Sequence, residues 1–338
     1  MARTIRVLSI DGGGIRGIIP ALVLGEIERR TNKPIAELFD LIAGTSTGGI
    51  LALGLTVPGP DGKPKYCADE LVQLYKEEGP RIFHRPTWHR IRSVGGVAEE
   101  KYPSKGIEEV LQKYFDKARL KEALTDVLVT SYEIERRTPF FFRSRRAREN
   151  RDYDFPMWQV ARATSAAPTY FEPCRIPVNG KKDDFWTLID GGVFANNPTM
   201  CALADVLAEA GPDDRILVLS LGTGELTRPL WYDDAKDWGL AGWARPILSV
   251  VFHGVAETVE YQAEKLLERG NGHEYYRFQV RLDEGSDDMD DAGKTNLRVL
   301  QLLAEALIRD EERELDKICT ALTALAEPRR RPMVPSGQ

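Results

Sequence analysis

Two glycine-rich turns near the N-terminus hold the residues with the clearest chemistry. Asp11-Gly12-Gly13-Gly14-Ile15-Arg16-Gly17 follows the apolar run Ile5–Ile10, and Gly44-Thr45-Ser46-Thr47-Gly48 follows Phe39–Ala43. The second has the G-x-S-x-G spacing of a nucleophile elbow, where flanking glycines permit a strained strand-to-helix turn that pushes out a serine hydroxyl. The first offers a row of backbone N–H groups with no side chains in the way, which is what an oxyanion hole requires. A nucleophile beside an anion-stabilising loop reads as acyl transfer. The same loop also spells G-x-G-x-x-G over Gly12, Gly14 and Gly17, the dinucleotide fingerprint, and so admits a nucleotide-binding oxidoreductase. Two features argue against that use. Asp11 would place a carboxylate beside the pyrophosphate, and the second strand ends in the serine elbow rather than in an acidic residue.

A serine nucleophile needs a base. The histidines are His84, His89, His253 and His273, and none follows a strand end as the third member of a hydrolase triad would. Asp190 is the better candidate, because Thr187-Leu188-Ile189-Asp190-Gly191-Gly192 ends an apolar strand at a turn that permits close backbone approach. With a reference pKa of about 3.9 an aspartate is ionised at neutral pH and able to accept a proton. It is a weak base, so it must lie within hydrogen-bond reach of the serine, and an apolar wall that raises its pKa would help. Taken alone, an aspartate before two glycines is also an ordinary turn residue.

With these motifs in view, the chain resembles the patatin-like phospholipases, and looks close to their bacterial members and to the catalytic domain of the calcium-independent phospholipases of animals. The matching residues are the Asp11–Gly17 loop, the elbow within Phe39–Leu53, the run Ala161-Arg162-Ala163-Thr164-Ser165-Ala166-Ala167-Pro168-Thr169-Tyr170-Phe171, and Asp190-Gly191-Gly192 followed by Asn196-Asn197-Pro198. The resemblance implies a serine–aspartate dyad without histidine. Ser46 carries over as nucleophile, Asp190 as base, and the amides of Gly12, Gly13 and Gly14 as oxyanion donors. Arg16 stands at the position of the family's loop arginine, an organiser of the site, and the amide of Thr47 is an extra donor. The expected function is a lipid acyl hydrolase of the phospholipase A or lysophospholipase type, acting on phospholipid or another acyl lipid with no metal and no cofactor. Some relatives are effectors switched on by a small molecule or assembly, which is a further alternative.

Composition bounds the rest. The chain has 338 residues, 42% of them hydrophobic, enough for a large α/β core. With 46 basic and 52 acidic residues the net charge is −6, which makes no global case for nucleic acid. Cys67, Cys174, Cys201 and Cys319 show no pairing or ligand spacing and read as core thiols. A strand begins within a few residues of Met1, leaving no room for a signal peptide, and no apolar run reaches the length of about 20 residues that a membrane span needs. The expected location is cytoplasmic, with peripheral contact at the inner membrane surface.

The elements that must position these residues follow from periodicity. Strands are expected at Ile5–Ile10, Phe39–Ala43, Val127–Glu133, Phe140–Arg143, Trp186–Ile189 and Ile216–Leu221, the third and fourth forming a hairpin around Arg136-Arg137. Helices are expected at Ile18–Arg30, from Ala68 to about Lys76, and at Lys105–Phe115, Asp154–Ala166 and Thr199–Glu209. From Ala244 onward the chain reads as mainly helical, with Thr295–Leu325 as one or two long helices. The fold class is a doubly wound, mainly parallel sheet in a three-layer α/β/α arrangement with a helical C-terminal region. One hydrolase domain covers 1–326, its motif-bearing core about 5–225 and its helical part about 244–326; 327–338 reads as a disordered tail.

Three surface features remain. Arg81, Arg85, Arg90 and Arg92 alternate with His84, Trp88 and His89, and Arg143, Arg145, Arg146, Arg148 and Arg151 form a second cluster; both suit an anionic lipid surface or a solvated face paired with acids. Trp231, Trp238 and Trp243 are a lid or interface anchor, or, the reading preferred from sequence, buried packing. The acidic run Asp283–Asp291 fails as a calcium loop, since with Asp288 first, Ala292 and Val299 fall at positions 5 and 12, and it reads as solvated.

Overall fold

Strand β1 (Thr4–Ile10) is buried from Ile5 onward, as an uninterrupted apolar run in a parallel sheet should be. The computed structural model describes residues 3–83, 102–178, 183–244, 246–268 and 272–324. The remaining strands are β2 (Leu41–Thr45), β3 (Asp126–Glu133), β4 (Thr138–Arg143), β5 (Cys174–Pro177), β6 (Phe185–Asp190), β7 (Arg215–Leu221) and β8 (Glu274–Phe278). They form one eight-stranded sheet in the order β5-β6-β3-β2-β1-β7-β8, with β4 also on β3. The central run from β3 to β8 is parallel, whereas β4, β5 and β6 are antiparallel to their neighbours.

Helices cover both faces. Helices α1 (Ile18–Thr31), α2 (Thr47–Gly54), α3 (Ala68–Ile82), α4 (Ser104–Phe115) and α5 (Met157–Thr164) pack into the larger core with Leu8, Ile10, Leu219 and Leu221. On α1 the residues Ile19, Val23 and Ile27 are buried at helical spacing; full burial of each such side chain stabilises by roughly 1.5–3 kcal/mol. Helix α6 (Thr199–Leu207) and the second half of α7 (Pro246–Glu268) cover the opposite face over Ile5, Val7, Ile216 and Val218. Helices α8 (Lys294–Asp310) and α9 (Glu312–Ala324) pack outside α1. The mainly parallel three-layer expectation holds.

Several sequence boundaries need correction. Strand β2 begins at Leu41 rather than Phe39, because Asp40 turns its carboxylate back onto the N, Nε and Nη2 of Arg6 before the ladder starts. Helix α3 runs on to Ile82 through Pro80, and α5 begins only at Met157, after Pro156. The region after residue 244 contains β8, which lengthens the parallel sheet beyond β7. Cys67 is exposed at the start of α3, so it is not a core thiol, while Cys174 and Cys319 are buried. The tail 327–338 lies outside the described residues, as do His84, Arg85, Trp88, His89, Arg90 and Arg92.

Candidate active site

The site lies at the C-terminal ends of β1 and β2, where open parallel sheets commonly bind ligands. Between β2 and α2 the backbone of Ser46 adopts φ 54°, ψ −121°, a strained conformation for a residue with a Cβ. The strain is held by hydroxyl contacts: Thr45 Oγ1 hydrogen-bonds Thr130 Oγ1 at 2.7 Å, Ser46 N donates to Thr164 Oγ1 at 2.8 Å, and Thr164 Oγ1 donates to Thr130 O at 2.7 Å. Gly48 lets the first turn of α2 press against β1, since a Cβ there would stand 2.1 Å from Ile10 O. Thr164 lies within the motif run ending at Phe171, which also holds Ser165 and Thr169, so nothing in the sequence singles out its part.

Strand β6 brings Asp190 from the opposite direction. It runs antiparallel to β3, pairing Leu188 with Glu133 and Asp190 with Ser131, and so descends onto the end of the sheet where β2 terminates. Asp190 N donates to Ala166 O at 3.0 Å, and Asp190 Oδ1 accepts from Gly192 N at 2.8 Å. The carboxyl is wholly buried, and burial pushes its pKa up to about 7, partly offset by the Ser46 hydroxyl and the Gly192 amide. Asp190 Oδ2 has no partner of ordinary hydrogen-bond geometry. The Ser46 contact is thus a loose one, as such contacts often are before substrate binds.

The glycine loop faces the same serine. A Cβ on Gly12 would lie 3.2 Å from Ser46 Cβ and 2.4 Å from Asn196 Oδ1, so the backbone passes where no side chain fits. Its amides are not equivalent. Gly12 N, expected as an oxyanion donor, donates instead to Asn196 O at 2.9 Å. The amides of Gly13 and Gly14 precede or open the short 3₁₀ turn Gly14–Gly17 and donate to no group among the described residues. Thr47 N stands in the first turn of α2, where no intrahelical acceptor exists. Arg16 is buried, its Nε donates to Gly13 O at 3.2 Å, and burial lowers its pKa to about 10. It braces the loop from within.

Ser46 and Asp190 line one narrow apolar pocket walled by Ile50, Tyr75, Ile82, Phe171, Phe252 and Met289. Tyr75 OH contacts Thr47 Oγ1 at 2.6 Å and is buried, which raises its pKa. Ser165 also lines the pocket, but its hydroxyl donates to Ala161 O at 2.7 Å. His253 and His273 do not line it, and His273 Nδ1 accepts from Ile216 N at 3.1 Å. The acidic run is only partly solvated: Asp290 is buried with Oδ2 accepting from Tyr102 OH at 2.6 Å, and Met289 O accepts from Ile15 N at 2.8 Å. Among the described residues no cluster of His, Cys, Asp or Glu could hold a metal ion.

The arginine cluster is largely neutralised: Arg143 pairs with Asp205 at 2.8 Å, Arg145 with Asp126 and Glu209, and Arg148 with Asp126, while Arg146 stacks on Tyr153. The tryptophan segment is exposed rather than packed away. Trp231 is 66% and Leu240 97% exposed, Tyr232, Ile247 and Val250 are exposed beside them, and Trp238 and Trp243 meet edge to face with centroids 5.2 Å apart. No described helix is long and apolar enough to cross a membrane.

A family model described as patatin-like phospholipase matches residues 8–203. Patatin-like protein 4 of Arabidopsis thaliana is 31% identical over 335 residues, covering 90% of this chain and 83% of that protein. Probable inactive patatin-3-Kuras 1 of Solanum tuberosum is 30% identical over 335 residues, covering 91% and 87%. The solved structure of VipD from Legionella pneumophila covers 96% of this chain and 74% of its own, with 11% identity and a TM-score of 0.32, a likeness too loose to bear on mechanism.

Proposed function

The chain belongs to the patatin-like phospholipase family, and on that premise we propose that it is a serine lipid acyl hydrolase of the phospholipase A or lysophospholipase type, working through Ser46 and Asp190. The observation that carries this reading is the strained Ser46 facing a buried carboxylate with a free oxygen inside an apolar pocket. Ser46 Oγ attacks the ester carbonyl while Asp190 takes its proton. The tetrahedral oxyanion rests on the amides of Gly13 and Gly14, with Thr47 N as a further donor. Collapse expels the lyso-lipid alcohol, which takes the proton from Asp190. Water then attacks the acyl-enzyme, losing its proton to the same carboxylate, and releases the fatty acid. Burial supports Asp190 in this role, because a carboxylate with its pKa at about 7 is a far better base than an exposed one.

The apolar pocket needs an acyl chain delivered from a lipid surface. Helix α7 walls the pocket with Phe252 and exposes Ile247 and Val250 within two turns of it, so the tryptophan segment and the start of α7 are the surface that meets the lipid. The test is hydrolysis of mixed phospholipids by wild type and Ser46→Ala, read by lipid mass spectrometry. Products that persist with Ser46→Ala, or fluorophosphonate labelling that maps elsewhere, would sink the proposal.

A further inference from the structure

Asp11 closes β1 immediately before the oxyanion loop, and its side chain is almost wholly enclosed. Its partner comes from the far end of the chain: Arg277 Nη2 on β8 donates to Asp11 Oδ2 at 2.7 Å, with the two side chains 7% and 2% exposed. Arg277 Nη1 donates to Ser220 Oγ at 3.0 Å and Nε to Glu260 Oε2 of α7 at 3.1 Å. Sheet register explains the meeting. Ser9 pairs with Ser220 and Ser220 with Arg277, so their side chains emerge in one row on the face covered by α6 and α7, and Asp11, two residues after Ser9, emerges on the same face. In this row the guanidinium bonds Asp11, Ser220 and Glu260 at once, while Ser9 Oγ and Asp11 Oδ1 have no partner among the described residues.

We propose that Arg277 is a positioning residue for the Ser46 reaction, fixing Asp11 so that the amides of Gly13 and Gly14 stay aimed at the oxyanion. This rests on the hydrolase reading above. The other ties of the loop are Asp11 N to Leu221 O, Gly12 N to Asn196 O, Gly12 O accepting from Thr223 Oγ1, Ile15 N to Met289 O, and Gly13 O accepting from Arg16 N and Nε. All but the Arg16 Nε bond, which is long at 3.2 Å, are neutral hydrogen bonds. The Asp11–Arg277 pair is charge-assisted, and such bonds are roughly twice as strong. Three successive glycines have no side chains to pack, so the loop's precision depends on its anchors: Arg16 and Met289 on its far side and Asp11 where it leaves β1. Without Arg277 the Asp11 carboxyl would be buried and uncompensated, which drives it to protonate or to turn away from the sheet.

The experiment compares Arg277→Met, Arg277→Lys, Asp11→Asn and the Arg277→Met/Asp11→Asn double variant, using a small soluble ester to exclude effects on lipid binding. Arg277→Met should lower kcat by about 10- to 100-fold, less than the loss of an oxyanion donor itself, with KM within about twofold. Arg277→Lys should recover part of that loss, and the double variant should be no worse than the poorer single one. Burial raises the pKa of Asp11 itself to about 6, and Arg277 holds it down. The pH–kcat profile is therefore compared in the Asp11→Asn background, where adding Arg277→Met should leave the acid-side midpoint in place, since Arg277 is not among the groups that set the Asp190 pKa. Wild-type kcat in a folded Arg277→Met, additive losses in the double variant, a raised KM with kcat intact, or a moved midpoint would each overturn the proposal. If Arg277→Met does not fold, Arg277→Lys decides, and an unchanged kcat there overturns it. Ser46→Ala and Asp190→Asn run alongside: full activity in those variants defeats the hydrolase reading itself, whatever Arg277 does.

Discussion

Asp190 serves catalysis and stability in opposite senses. Its pKa, raised by burial to about 7, means that the folded protein binds this proton more tightly than the unfolded chain does. The stabilising contribution is therefore complete below the unfolded value of about 4 and is lost as pH rises through about 7. Asp190→Asn should abolish hydrolysis yet raise the unfolding free energy at pH 8, by on the order of a few kcal/mol, with a smaller gain at pH 5. Urea titrations of both proteins at the two pH values check this, and equal gains would remove the burial argument. In the wild type kcat should climb toward a plateau as pH passes about 7, because the base works only when ionised. Ser46→Ala should remove activity with little change in stability, since one hydroxyl at a turn contributes little packing. Ser46 and Asp190 were legible because each is announced by neighbours in sequence. The engagement of Gly12 was not, because its acceptor, Asn196 O, comes from a separate turn that meets the loop only in the folded chain.

Among the elements, β6 and α7 decide the shape of the site. Strand β6 was readable as apolar residues ending in Asp190-Gly191-Gly192, but nothing in five or six residues tells a strand its direction. That β6 runs against β3 is fixed by the chain's route through β5, whose four residues were too few to show a period. Strand β8 was hidden for a related reason: Glu274–Phe278 is short, half-buried at an edge, and interrupted by charge, so it lacks the continuous apolar run of β1. Helix α7 gives a prediction of its own. Phe252 closes one wall of the pocket, and truncation to alanine leaves space that a longer or bulkier acyl group can fill. Phe252→Ala should shift the ratio of kcat/KM toward such esters, and competition between short and long esters measures it. His253→Gln, one residue along the same helix, points away from the pocket lining and should keep most of the wild-type rate.

At the scale of the whole molecule, the exposed groups among the described residues favour apolar over ionic contact for the lipid surface proposed above. The Arg143–Arg151 stretch spends most of its charge on Asp126, Asp205 and Glu209, and exposed ion pairs of this kind leave little net field. Large apolar side chains exposed along one segment, Trp231, Tyr232, Leu240 and Ile247, are the rarer feature. Replacing Trp231, Leu240 and Ile247 together by serine should cut binding to zwitterionic vesicles severalfold while leaving hydrolysis of a small soluble ester within about twofold, because none of the three lines the pocket. Vesicle sedimentation and the ester assay read the two effects separately. Equal losses in both would mean a folding defect. Rates should also survive EDTA, and loss on chelation restored by calcium would contradict the mechanism.

The site is finished late along the chain. The stretch matched by the family model, residues 8–203, contains Ser46 and Asp190, yet Phe252, Arg277 and Met289 all follow it. A ribosome therefore makes the nucleophile first and the wall, the brace and the loop's Met289 contact last, so a chain still being synthesised carries Ser46 without a complete oxyanion site. On the proposed mechanism, a chain ended before β8 should therefore carry Ser46 and show no hydrolysis, which a truncation at residue 270 assayed with a small ester would check.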